Sequence, residues 1–178
     1  MKSMGKYLFL SVVLAGLMGA TSLNLSAQEI YQSPRDFLSE AFDGTIPLAR
    51  TLDINMEMRD EAARILRHNY GVRRINFWSK GNRSVWILEE IGRYRPITIG
   101  LIVSKGEIEA IRVLIFRESH GWEVQHAFFT DQFKGLRLDA ENDLTASVDG
   151  ISGATLSVNA LKNLARLALY FDGELQGE

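Results

Sequence analysis

The 178-residue chain contains no cysteine. Its stability must come from a hydrophobic core and not from disulfides, and thioether haem attachment, iron–sulfur ligation, thiol catalysis and lipoprotein attachment are excluded. Any redox chemistry therefore needs a cofactor that takes no sulfur ligand. Histidine is nearly as scarce, with only His68, His120 and His126 present. His120 and His126 stand six apart, which suits neither one helical face nor a zinc pattern, so no metal site is expected. Basic residues form no cluster: 20 Lys and Arg face 22 Asp and Glu, for a net charge of −2. A mildly acidic chain of this kind is a poor partner for nucleic acid or an anionic membrane. No acid–base or nucleophile constellation can be picked out, so no catalytic residue is assigned.

Long apolar runs are also missing. The longest, from Tyr7 to about Ala20, is shorter than the roughly 20 residues of a spanning helix. Lys2 and Lys6 precede it, and Leu25-Ser26-Ala27 follow before Gln28. A charged start, a short apolar centre and a small final residue describe a secretory signal peptide over residues 1–27, with an uncleaved anchor as the alternative. The expected mature protein is a single domain over 28–178, periplasmic or otherwise exported, without a stable membrane span. The removed segment carries two lysines and no acid, so the net charge moves from −2 to −2 − 2 = −4.

What is present reads as one α+β domain. Ser33 as cap with Pro34 behind it starts a short helix that Gly44 ends. Met56 to Tyr70 is a better helix, with Ala62, Ile65 and Leu66 on one face and Gly71 placed as its cap. Apolar runs at Ile75–Trp78, Val85–Leu88, Pro96–Val103 and Ile108–Phe116 alternate with the turn clusters Lys80-Gly81-Asn82, Ile91-Gly92-Arg93 and Ser104-Lys105-Gly106-Glu107. Links this short force antiparallel pairing, giving a β-meander of about four or more strands packed with helices. In the last run, Ile108, Ala110, Arg112, Leu114 and Phe116 should form one face and Glu109, Ile111, Val113 and Ile115 the other. Both faces are mostly apolar, so helices should cover at least one side. Leu136 to Ser147 has a weak strand signal, and Leu156 to Leu169 is a C-terminal helix with Leu161, Leu164, Ala165 and Ala168 along one face.

Ahead of that helix stands Asp149-Gly150-Ile151-Ser152-Gly153-Ala154-Thr155-Leu156-Ser157-Val158. Two glycines and three hydroxyls at a helix start suit an anion, because the first N–H groups lack intrahelical partners and the dipole is positive there. An ordinary helix capped by Ser152 or Thr155 is the plainer reading.

The run resembles the flavinylation motif Asp-Gly-x-Ser/Thr-Gly-Ala-Thr, on which an ApbE-type flavin transferase esterifies FMN through its phosphate to the final threonine. Asp149, Gly150, Ser152, Gly153, Ala154 and Thr155 fill all its specified positions. Arg117-Glu118-Ser119-His120-Gly121-Trp122, Gln132-Phe133-Lys134-Gly135 and Pro96-Ile97-Thr98-Ile99-Gly100 add to the likeness. From about Ile65 to Ala168 the chain resembles the FMN-binding domain family, which includes the G subunit of Rnf complexes, the C subunit of the sodium-pumping NADH:quinone oxidoreductase and small exported stand-alone proteins. His120 stands where those subunits' turn usually carries proline, which favours the stand-alone group.

The resemblance implies covalent FMN on Thr155, with Ser152, Gly153, Ala154 and Ser157 around the phosphate. Ser157 is equally readable as a surface residue of the first turn. Glu118, Ser119, Gly121 and Trp122 would form a loop against the isoalloxazine. Trp122 either stacks on that ring or fills the core, and Glu118 either joins the loop or pairs with an arginine. Asp149 and Gly150 would serve recognition by the transferase. The implied function is a one- or two-electron carrier outside the cytoplasm, working with redox partner proteins, and not an enzyme with its own substrate. The alternatives are an accessory subunit of a reductase complex, or a sensory or assembly module that holds FMN or a related ligand without redox work.

Overall fold

A computed structural model of the chain describes residues 28–176. The signal-peptide reading of residues 1–27 lies outside these. Six strands form one antiparallel sheet in the order β1-β6-β5-β4-β3-β2. The central meander is β3 (Arg74–Lys80), β4 (Arg83–Ile91), β5 (Pro96–Ser104) and β6 (Glu107–Phe116). Its turns follow from their residues. Lys105 and Gly106 both have positive φ, 55° and 74°, as the tight type I′ hairpin requires. The β4–β5 turn closes with the Gly92 N–H donating to the Arg95 carbonyl at 3.1 Å.

Two edge strands add to the expected four. Glu29–Ile30 (β1) pairs with the end of β6, and Arg50–Asp53 (β2) pairs with β3. The strict alternation expected along β6 fails at two register shifts against β5. Ile102 faces Ala110 while Val103 faces Ile108, and Ile99 faces Val113 while Thr98 faces Ile115. Each shift leaves one β6 residue, Glu109 and Leu114, without an opposite number, and a bulge of that kind resets which face follows. Ile108, Ile111, Val113 and Phe116 consequently share the larger core, whereas Leu114 faces the smaller.

Both faces of the sheet are covered, which is why β5 is buried from Ile97 to Val103. On one side lies α1 (Pro34–Ala41), capped as expected by Ser33, whose Oγ accepts the Asp36 N–H at 3.1 Å. Its Phe37 ring drops onto β5 because Gly100 has no side chain; a Cβ there would stand 2.3 Å from the ring. The other side carries α2 (Met56–Leu66) and α4 (Thr155–Gln176). The α4 face expected from the sequence is buried, Leu161, Leu164, Ala165 and Ala168 included, and each fully buried leucine contributes about 1.5–3 kcal/mol. The helix runs past Leu169 and buries Phe171 and Asp172 as well. Asp172 accepts the Ser84 hydroxyl at 2.5 Å, and Ser84 in turn accepts the Trp86 indole N–H at 2.8 Å. Between Leu136 and Ser147 the only pairing among the described residues is an isolated bridge, Leu138 to Leu144. None of the helices in the described residues is long and apolar enough to cross a membrane.

Helix α2 stops four residues before Tyr70. Its last turn ends at Arg67 with φ 63°, not at Gly71. Tertiary contacts override the helical pattern: His68 Nε2 reaches the buried Glu90 carboxylate at 2.9 Å, and the Tyr70 ring packs 6.0 Å from Phe171. The Glu90 hydrogen bond, and then the Asn69 carbonyl 3.1 Å from Nδ1, raise the His68 pKa against a smaller opposing effect of burial. A folded value above the unfolded ~6.5 means a contribution to stability that is complete below that pH and disappears as pH rises through the folded pKa. An imidazole NMR titration should place His68 above the ordinary value, and Glu90→Gln should lower it. A value unmoved by Glu90→Gln would refute the coupling.

Candidate functional site

The residues ahead of α4 build the site. Ile151 to Ala154 form a turn closed by the Ala154 N–H on the Ile151 carbonyl at 3.0 Å, with Gly153 at φ +83° in the third position. A turn with positive φ at that place selects glycine. The Ala154 carbonyl then accepts the Val158 N–H at 2.9 Å, so Ala154, and neither Ser152 nor Thr155, occupies the cap position. Ser152 is committed to the turn and is exposed. Alanine offers no side-chain acceptor, and α4 has no acid in its first turn. Among the described residues no side chain accepts from the N–H groups of Thr155, Leu156 or Ser157. The positive end of a 22-residue helix is left for an anion to complete.

Two loops close over this helix start. The first follows β6. Its Gly121, at φ +86°, lies so near α4 that a Cβ would stand 2.6 Å from the Ser157 Oγ and 3.4 Å from the Ala154 Cβ. Ser157 is 4% exposed, which removes the surface reading of that residue. The second loop is the β4–β5 turn. Arg93, Tyr94 and Arg95 each point a backbone N–H at one oxygen of Glu118, at 2.5, 2.6 and 2.9 Å. Burial alone would raise the Glu118 carboxyl, but these three donors and the Arg95 charge hold it below the usual carboxylate range. Glu118 thus takes neither an arginine side chain nor an open position.

The two loops and the helix start line two neighbouring cavities. The smaller, about 210 Å³, is formed by Arg93, His120 and residues 153–157. The larger, about 490 Å³, is formed by Glu29, Tyr94, Arg95, Phe116–Ser119 and Trp122. Ligand cavities run to about 300–1,000 Å³, so the larger has room for a planar ring system and the smaller suits an anionic group. Trp122 is 46% exposed and meets the His126 ring edge-on at 5.3 Å. It is therefore not a core residue; Trp86 takes that part, fully buried and stacked on Phe77.

The expected site residues fall into three groups. Gly153, Ala154, Thr155 and Ser157 line the smaller cavity. Glu118, Ser119 and Trp122 line the larger, and Gly121 is the contact that seats their loop on the helix. Asp149, Gly150 and Ser152 line neither and lie exposed; the Asp149 N–H donates to the Gln132 side chain at 2.7 Å. Sequence reasoning missed Arg93, Tyr94 and Arg95, although two arginines flanking a tyrosine in a hairpin turn were a readable signal. Among the described residues no group of three or more His, Asp or Glu side chains could hold a metal ion.

An uncapped helix start, a buried serine hydroxyl and an arginine fit a phosphate, and an exposed tryptophan beside a tyrosine fits a planar heterocycle. No curated protein matches the chain. Residues 92–170 match the model of the FMN-binding domain, beginning later than the Ile65 expected and containing all three segments that converge here. Over these residues the chain is similar to the FMN-binding domain family.

Proposed function

We propose that this protein is an exported flavoprotein that carries FMN covalently on Thr155 and passes electrons between proteins outside the cytoplasm. The observation that carries the reading is the exposed Thr155 at an uncapped helix start, inside a complete flavinylation motif and within the smaller cavity. The Thr155 hydroxyl would bond through Oγ to the flavin-side phosphorus of a flavin dinucleotide donor. The pyrophosphate bond breaks, the nucleoside monophosphate leaves, and the hydroxyl proton passes to the transferase or solvent. Exposure of Asp149, Gly150 and Ser152 leaves the motif open to such an enzyme. The N–H groups of the first turn would hold the phosphate, and Ser157 would hydrogen-bond it. When bound, FMN supplies the redox chemistry, while the protein sets its position and potential. Export rests on the pattern of residues 1–27.

The test is the intact mass, under denaturing conditions, of protein taken from the exported fraction of its native host. A flavin-sized increment is expected, and a precipitate that stays yellow. An unmodified mass from cells that contain the transferase would end the covalent reading.

Trp122 tests the ring end separately. Trp122→Ala is expected to keep the covalent flavin but change its absorption, fluorescence and midpoint potential. Attachment depends on the phosphate end, whereas the lost aromatic contact, about 0.5–1.5 kcal/mol beyond area burial, acts on the ring. Spectra and potential identical to wild type would remove Trp122 from the site.

A further inference from the structure

The Glu118 carboxylate is expensively placed for a loop residue. It takes three consecutive backbone N–H groups on one oxygen, from Arg93, Tyr94 and Arg95. Successive N–H groups that converge in this way form a concave anion site, and here the chain fills it with its own carboxylate. The fit is close: a Cβ on Gly92 would stand 3.0 Å from Glu118 Oε1 and 3.0 Å from Ile97 Cδ1, so any larger residue there would have to push the carboxylate or the isoleucine tip aside. The turn carries its side chains to different places. Arg93 lines the smaller cavity with Thr155, while Tyr94 and Arg95 line the larger. Glu118 is engaged by the backbone, and among the described residues Arg93 makes no ion pair; its guanidinium lies 5.1 Å from the Tyr94 ring. An arginine without an ion pair among the described residues, lining the same small cavity as an uncapped helix start, adds a full positive charge to the partial one of the helix.

We infer that Arg93 is the side-chain cation that neutralises the phosphodiester on Thr155, and that Glu118 is a positioning residue that holds Arg93 there through the backbone of its turn. The inference rests on the covalent reading above and adds to it the residue that receives the charge and the residue that orients it. A carboxylate on the opposite loop then serves the phosphate indirectly. Its negative charge is spent on three N–H dipoles, so the arginine charge stays available for the ligand.

The test uses the full-length chain with the flavin transferase and a flavin dinucleotide, and compares wild type, Arg93→Gln, Glu118→Ala, Glu118→Gln and the double variant Arg93→Gln/Glu118→Ala. The readouts are the initial rate of flavin attachment, the ³¹P resonance of the attached phosphodiester and the melting temperature. Arg93→Gln should slow attachment about tenfold or more, the worth of one hydrogen bond to a charged group, and move the ³¹P resonance without lowering the melting temperature. Glu118→Ala should slow attachment to a similar degree and lower the melting temperature. Glu118→Gln keeps an acceptor oxygen and should recover most of the rate. The double variant should be no slower than the slower single variant, because both changes act through one guanidinium. Attachment at the wild-type rate with an unmoved ³¹P resonance in Arg93→Gln would overturn the inference, and so would a double variant whose loss is the product of the two singles. A wild-type chain that accepts no flavin would overturn the covalent reading and this one together, an outcome distinct from both.

Discussion

Replacing Thr155 by valine is expected to abolish covalent flavin while leaving the fold intact. The substitution is nearly isosteric and deletes only the hydroxyl that must bond to phosphorus. Its structural cost is small for a reason visible in the hydrogen bonds. Ala154 holds the cap position and Thr155 is the first residue of the helix, exposed and without a capping duty. Surface changes away from caps and cores usually stay within about 0.5 kcal/mol, against a total of about 5–15 kcal/mol for a typical domain. The valine variant should therefore melt with the wild type and lack the flavin-sized mass increment. An increment that survives in Thr155→Val would place the attachment elsewhere. A variant that fails to fold would show instead that the hydroxyl carries a structural load that these contacts do not reveal.

The second large effect is expected at Gly121. An alanine there must adopt φ +86° and place its Cβ 2.6 Å from the Ser157 Oγ. The backbone conformation costs about 1–3 kcal/mol for a residue with a side chain, and overpacking a closed contact costs about 1–3 kcal/mol more. Relief requires the Ser157 hydroxyl to turn away or the loop to lift from α4, and either disturbs the wall of the smaller cavity. Gly153→Ala is the matched control: φ is +83°, but nothing lies within 4 Å of its Cβ. Urea unfolding should show a larger loss for Gly121→Ala than for Gly153→Ala, together with weaker flavin attachment. Equal losses would mean that the loop is not seated on the helix by that contact.

The central meander was legible because its strands are continuous apolar runs broken by strong turn residues. The edge strands were not. Glu29–Ile30 has two residues, and Arg50–Asp53 is exposed at three of four positions, so neither offers enough apolar alternation to be seen. The faces of β6 were misread because its bulges against β5 are a property of the pair and leave no mark on one strand. The end of α2 was hidden for a similar reason: Arg67 turns the chain so that His68 can reach Glu90, 22 residues later. At the site, the run from Asp149 to Thr155 stood out because the proposed attachment needs particular residues in one contiguous stretch. The role of Glu118 was not, since its partners are backbone N–H groups 23 to 25 residues away, and any sequence has such groups.

The unequal cores on the two sides of the sheet divide the site dynamically. The smaller cavity, proposed for the phosphate, is carried by the start of α4, which is anchored along its length in the larger core. The larger cavity, proposed for the ring, borrows Glu29 from β1, a two-residue strand paired among the described residues only with β6 and continuing into α1, whose apolar face rests on the smaller core around Val85, Ile102 and Leu114. Local opening is cheapest where buried apolar contact is least. Amide exchange should accordingly be faster in β1 and α1 than in α4, and uniform protection across these elements would contradict that ranking. An FMN held as proposed would span two regions of different opening free energy, with its tether on the better-anchored helix and its reactive end against the element with less buried apolar contact.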